Sequence, residues 1–319
     1  GPGATRRVPC GSVTVRLTVR RASWRSRVAR LAGDVDGLVP VVKGNGYGLG
    51  RTFLAGVAAE FADTIAVGTV HELDVLDAHP SLDVVVLTPV LAPPATTRPI
   101  LTVGRQDHLD ALRGWGGRVV VKLASSMQRY GGSVELIEAA SAAGLDVAGV
   151  SVHPPLVGTD DERVADVERH LADVDPSIPV WVSHLSVDAY RSLPTSHSYR
   201  LRLGTSLWHA DKNDVHLEAD VIDVRPVEAG ERAGYRLVDV PGPGHLVMIG
   251  AGTAHGVTPL PDGRSPFHHA RTRLPLLEPP HMHTSMAWVP TEAPCPAVGG
   301  HVDVQRPLHM TSVDEYRWL

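Results

Sequence analysis

The sequence predicts an α/β fold, a (β/α)8 barrel of the TIM type followed by a smaller, mostly-β domain. Two observations carry this expectation. Through the first two-thirds of the 319 residues, short apolar runs alternate with longer amphipathic stretches, and strands separated by helices pair in parallel. After about Asp211 prolines become dense and helical periodicity stops, which leaves strands and turns.

Eight runs read as barrel strands: residues 38–42, 64–67, 83–87, 100–103, 118–123, 147–152, 180–183 and 199–203. Each is rich in Val, Ile or Leu, as strands covered on both faces are. Residues 50–61, 70–78 and 133–143 place apolar side chains three and four apart, the period of a helix packed on one face. Eight such units in about two hundred residues fit the small end of the barrel range; an open doubly wound sheet is the competing arrangement. The barrel is expected over 12–211 and the β domain over 212–319. Within the latter, 217–227, 235–240 and 245–250 read as strands divided by Ala-Gly and Pro-Gly turn signals. Residues 12–19 alternate neatly and could join the C-terminal sheet instead of the barrel.

Composition narrows the function. With 43% hydrophobic and 20% charged residues the chain has ordinary globular proportions. No apolar run approaches the ~20 residues that cross a bilayer, and nothing resembles a signal peptide. A net charge of -5 argues against nucleic acid as the partner. Cys10 and Cys295 imply no disulfide framework, so a cytoplasmic setting is expected. Gly1-Pro2-Gly3 has the look of a tag remnant. Lysine occurs only as Lys43, Lys122 and Lys212 while arginine is abundant. Arginine stays protonated; lysine can lose its proton and act as a nucleophile, so each lysine merits inspection.

Barrel enzymes build their sites at the C-terminal ends of the strands, often with a phosphate near strands seven and eight. Lys43 stands at such an end in Val41-Val42-Lys43-Gly44-Asn45-Gly46-Tyr47-Gly48. Its glycines permit close backbone approach, which suits a Schiff base to an aldehyde cofactor; an ordinary strand-end lysine before a turn is the other reading.

The segment resembles the Lys-x-Asn-x-Tyr-Gly signature of the alanine racemase family, whose members carry pyridoxal 5'-phosphate (PLP), and the likeness continues in order along the chain. Residues 61–67, with Glu72 beyond, resemble the second strand and its helix. Residues 122–131 resemble Lys-x-Asp-Thr-Gly-Met-x-Arg-x-Gly, which implies that Arg129 reaches the cofactor and the substrate carboxylate, with Lys122, carbamylated in some members, beside it. His153 matches a histidine beside the cofactor ring. Residues 201–208 resemble Arg-x-Gly-x-x-x-Tyr, which implies Arg202 at the pyridine nitrogen and the Gly204 and Thr205 amides on phosphate; the resemblance further implies Tyr47 as cofactor-binding and Ser186 as the phosphate-binding serine. Family decarboxylases use a carboxylate at the ring nitrogen and racemases an arginine, so Arg202 favours racemisation. Residues 229–235 resemble Gly-x-x-x-x-Tyr, and Tyr235 is thereby implied as the second base opposite Lys43, donated across a homodimer interface. Met282 and His283 fall where the family contacts substrate.

The pattern also breaks. Ala124-Ser125-Ser126 stands for Asp-Thr-Gly, His184-Leu185-Ser186 for a stretch ending in Asn-Ser, Ala251 for an aromatic residue and His283 for an aspartate, while Tyr316 is a weak match to a late phosphate-binding tyrosine. The resemblance thus implies an amino-acid racemase whose substrate need not be alanine, with Ala251 leaving room for a longer side chain. A PLP-dependent lyase or decarboxylase relative and a PLP-binding protein without turnover stay open. His268, His269, His281 and His283 lack a complete four-ligand set for zinc and are expected to face solvent or substrate, with no metal.

Overall fold

The computed structural model describes residues 15–209 and 211–319, and for Lys212 the backbone alone. Cys10 and residues 12–14 of the first expected strand lie outside the described residues. The described chain opens on β1 (Val15–Val19) and α1 (Arg21–Gly33) and divides into two units, Arg25–Ala210 and a second made of the segment up to Trp24 with Asp211–Leu319.

The first unit is a parallel barrel. Its strands are β2 (Leu38–Pro40), β3 (Thr64–Val67), β4 (Asp83–Val86), β5 (Ile100–Val103), β6 (Arg118–Lys122), β7 (Asp146–Ser151), β8 (Val180–Ser183) and β9 (Tyr199–Leu203). They run in the order β2-β9-β8-β7-β6-β5-β4-β3. A bridge between Val41 and Ala66 joins the two ends, with the Val42 amide donating to the Ala66 carbonyl at 2.8 Å. Every residue of β3, β5 and β8 is buried, which is why these stretches read as unbroken apolar runs.

The helices are α2 (Arg51–Ala58), α3 (Val75–Ala78), α4 (Gln106–Ala111), α5 (Glu135–Ala142), α6 (Asp160–Leu171), α7 (Val187–Arg191) and α8 (Thr205–Trp208). The expected helix over 70–78 is broken: Val70–Glu72 is a separate 3-10 turn. Its Glu72 carboxylate is drawn to the strand ends, where it accepts the Gly44 amide at 3.1 Å and the Gly68 amide at 2.7 Å. By contrast α6 starts on a full capping box: Thr159 Oγ1 accepts from the Glu162 amide at 3.2 Å while Glu162 Oε2 accepts from the Thr159 amide at 2.7 Å. Among the described residues no helix is long and apolar enough to cross a membrane.

The second unit is built on β10 (Val215–Val227), followed by β11 (Arg232–Ala233), β12 (Val238–Asp239), β13 (Gly244–Ile249), β14 (Phe267–His269), β15 (Thr272–Arg273), β16 (Ser285–Pro290), β17 (His301–Val304) and β18 (Glu315–Trp318). β1 belongs to this sheet, antiparallel to β10 and parallel to β18. There Arg16, almost fully buried, is ion-paired with Glu218 at 3.1 Å, Asp220 at 3.3 Å and Glu315 at 2.9 Å, so its charge is compensated where water is excluded. Residues 235–240 are not the expected single strand. β11 and β12 form a short hairpin, and Tyr235 lies in its turn, closed by the Leu237 amide donating to Gly234 at 3.2 Å. The hairpin rests on a small core of Val227, Val240 and Leu246, with Ala233, Leu277, Met286 and Trp288 against it.

Candidate active site

The barrel gathers most of the sequence-selected residues at the C-terminal ends of its strands. Lys43 follows β2 and opens a turn whose backbone passes through left-handed conformations at Gly44, Gly46, Tyr47, Gly48 and Gly50. The Glu72 carboxylate clamps the turn through Gly44, the Asn45 side chain accepts the Gly48 amide at 3.0 Å, and Arg51 donates to the Gly44 carbonyl at 2.8 Å. Lys43 is open to solvent, yet protein surrounds it closely enough that lost hydration, and then the charges of Arg129 and Arg202, hold its ammonium below 10.5.

Lys122 ends β6 and is only 5% exposed. Burial first, then Arg202 and Arg129, lower its pKa to about 7. Its Nζ lies 5.5 Å from the centre of the Tyr130 ring and the Arg129 guanidinium 5.1 Å from the same ring, while the Tyr130 hydroxyl donates to the Leu87 carbonyl at 3.1 Å. Arg202, in β9, is lowered to about 10 by burial. Its Nη2 makes only long contacts, 3.4 Å to Ser183 Oγ and to His153 Nδ1, and its buried Nε has no partner.

His153 follows β7. Ser183 Oγ stands 2.6 Å from its Nδ1 and the His184 ring packs on it at 4.1 Å. Burial, then Arg202, His184, Lys122 and Arg129, push its pKa to about 2, so the ring is neutral. At α8, a Cβ built on Gly204 would fall 2.0 Å from the Tyr47 hydroxyl; only a residue without a side chain lets the backbone run this close. Thr205 begins the helix, and the buried Tyr47 hydroxyl is pushed up to about 12.

Ser186 caps α7, accepting the Ala189 amide at 3.1 Å and donating to the Asp160 carboxylate at 2.5 Å, a carboxylate that is itself ion-paired with Arg163.

The second unit brings together Tyr235, His281, Met282 and His283. The Tyr235 ring lies 4.5 Å from that of His281, and His283 packs 6.0 Å from His255. His281 is not a solvated histidine: its Nε2 is 2.6 Å from Glu278 Oε1. His268 and His269 lie on β14 and pair with β15, and no group of three metal-capable side chains occurs among the described residues. Ala251 is fully buried. Tyr316 sits in β18, paired with Leu17.

Residues 19–211 match the sequence profile described as the N-terminal domain of alanine racemase. The chain belongs to this family. No curated protein matches the sequence. Among solved structures, the alanine racemase of D-cycloserine-producing Streptomyces lavendulae is 20% identical with a TM-score of 0.75, over 97% of this chain and 98% of that one. The alanine racemase of Bartonella henselae with covalently bound pyridoxal phosphate is 16% identical with a TM-score of 0.72, over 97% of this chain and 100% of that one. The biosynthetic alanine racemase of Pseudomonas aeruginosa is 18% identical with a TM-score of 0.72, with the same coverages. These likenesses bear on the fold, which is the barrel and β domain described above.

Within this family member, the sequence assigned no role to Ser183 or His184. Ser183 carries no signal beyond ending a strand. His184 adopts φ +63°, unusual for a residue with a side chain, and its Nδ1 is 2.8 Å from the Pro154 carbonyl.

Proposed function

We propose that the protein is a PLP-dependent amino-acid racemase using two bases, Lys43 and Tyr235. The observation that carries this reading is the barrel mouth itself. Lys43, Lys122, Arg129 and Arg202 crowd one another, and among the described residues no carboxylate is ion-paired with any of them. Like charges crowded together, opposed at Lys43 by the Glu72 charge, leave an excess of positive charge that fits a dianionic cofactor and a carboxylate-bearing substrate.

The residues present fit PLP. Lys43 offers an amine of lowered basicity to its aldehyde. The Gly204 and Thr205 amides and the Tyr47 hydroxyl suit its phosphate, Arg202 with its orphan Nε suits the ring nitrogen, and neutral His153 suits the ring edge. Ser186, beside the Asp160–Arg163 pair, would reach the phosphate by giving up its bond to Asp160. Bound in this way, PLP supplies an electron-withdrawing ring that acidifies the substrate α-carbon.

The chain's own groups do the rest. Arg129 binds the substrate carboxylate, Met282 and His283 border the side chain, and the Lys43 amine takes or returns the α-proton on one face. Tyr235 does so on the other, since inversion needs an acid–base group on each side. Arg202 stays protonated at neutral pH and donates a hydrogen bond without giving up its proton, which weighs against the decarboxylase reading. Tyr235 is 86% exposed, beside the exposed Leu237 and Met282; a homodimer in which a second copy covers this surface is part of the proposal.

The test is chiral analysis of single amino acids incubated with the enzyme. Tyr235→Phe should lower racemisation ~10²–10⁴-fold, keep the visible cofactor band, and still exchange the α-proton of one enantiomer with deuterium. Racemisation by this variant at the wild-type rate moves the lyase reading ahead. Lys43→Ala should lose the band and the borohydride-stable adduct; their retention sinks the assignment of Lys43.

A further inference from the structure

Glu278 and His281 belong to none of the roles above, yet both close on Tyr235. Glu278 is nearly fully buried. Its Oε1 accepts the Tyr235 amide at 3.0 Å and its Oε2 the Arg236 amide at 3.1 Å, while Oε1 also meets His281 Nε2 at 2.6 Å. The carboxylate reaches the turn because residue 234 is glycine: φ there is +79°, and a Cβ would lie 2.2 Å from Glu278 Oε1. His281 is fixed from its other side, its amide donating to the Thr284 carbonyl at 2.8 Å and its Nδ1 lying 3.5 Å from Thr284 Oγ1. Its ring meets that of Tyr235 at 53°.

A packed tyrosine needs only apolar neighbours. This one stands on a hairpin tip tied down by a buried carboxylate, and its ring leans on an imidazole oriented by the same carboxylate. We propose that Glu278 and His281 are positioning residues that fix the hairpin tip and the Tyr235 ring. The proposal rests on Tyr235 being the second base only for its effect on turnover. The other charged groups near the tip are Arg236, the Arg232–Asp239 pair at 3.3 Å and His283 on the facing loop. Of these, Arg236 meets the Glu278 carboxylate, and it does so through its backbone amide.

The experiment uses the cofactor-loaded enzyme, with Tyr235→Phe as the spectroscopic blank. Ultraviolet difference titration of each protein against its own Tyr235→Phe counterpart isolates one phenolate, clear of Tyr47 and Tyr190, which burial pushes up to about 12. His281→Phe keeps a flat ring but removes the contact with Glu278. It should displace the Tyr235 titration from its wild-type position and lower kcat about 10-fold with KM little changed. The loss should fall on the enantiomer whose exchange also disappears in Tyr235→Phe. Glu278→Gln should show the same asymmetry. An unmoved titration in both variants overturns the proposal whatever the activity. If Tyr235→Phe racemises normally, the two-base reading falls, while a shifted titration in His281→Phe still upholds the hold of the pair on the phenol.

Discussion

Replacing Lys122 with methionine separates the binding role of the barrel mouth from its stability. Lys122 is 5% exposed and has no carboxylate partner; its pKa in the fold is about 7 against 10.5 ordinarily. Between those values the unfolded chain carries one more proton than the folded one, so this lysine makes stability rise with pH by about 1.4 kcal/mol per unit. The window spans about 3.5 pH units, which amounts to about 5 kcal/mol. The full penalty applies below pH 7 and is gone above 10.5, the reverse of a lysine that gains a partner on folding. Methionine has similar length and no charge to desolvate. Urea unfolding of both proteins in phosphate-free buffer, followed by tryptophan fluorescence, should show Lys122→Met more stable at pH 6 by about 3–5 kcal/mol. The gap should narrow by about 1.4 kcal/mol per unit from pH 7.5 to 9.5. Lys43 and Arg202, also lowered by burial, are common to both proteins and cancel in the difference. A gap independent of pH, or a variant less stable at pH 6, refutes the reasoning.

Three further outcomes are expected. Arg202→Glu should protonate the cofactor nitrogen and give a new long-wavelength band with keto-acid by-product; if neither is seen, Arg202 does not face that nitrogen. Gly204→Ala drives a methyl into the Tyr47 ring and should weaken cofactor retention on dialysis, with about 1–3 kcal/mol lost in unfolding assays; adding Tyr47→Leu should recover much of the stability, and no recovery would point to a clash elsewhere. Glu72→Gln keeps one acceptor for the Gly44 and Gly68 amides and should cost about 1.5–3 kcal/mol. Because the Glu72 charge raises the Lys43 pKa, the same change should move the pH dependence of Lys43 acylation to lower pH, and an upward move would contradict that sign.

The barrel strands were legible because a parallel strand is covered on both faces and so writes itself as a continuous apolar run. The stretches 64–67, 100–103, 180–183 and 199–203 coincide with β3, β5, β8 and β9. Lys43 could be chosen because a strand end followed by a glycine turn is a local signal, and Lys122 because lysine is scarce, whereas Arg129, His153 and Arg202 were implied by the resemblance. The hairpin around Tyr235 was not legible as such. A two-residue strand has no period to read, and its turn is held by Glu278, which lies 43 residues away. The bond between Ser186 and Asp160, 26 residues apart, was not legible for the same reason. The His153–Ser183–Arg202 contacts join three different strand ends, and no spacing within one segment announces them.

The place of β1 bears on how the chain is made. Val15, Leu17 and Val19 are fully buried between β10 and β18, yet those partners begin at Val215 and Glu315. At about 5–20 residues per second, β1 leaves the ribosome roughly ten seconds to a minute before either edge can be covered. In topology the whole barrel is an insertion into the β unit, and it can close while its host is still incomplete. During that interval an apolar strand with two open edges is available to other nascent copies, which makes the early chain, rather than the finished fold, the stage at which chaperones have most to protect.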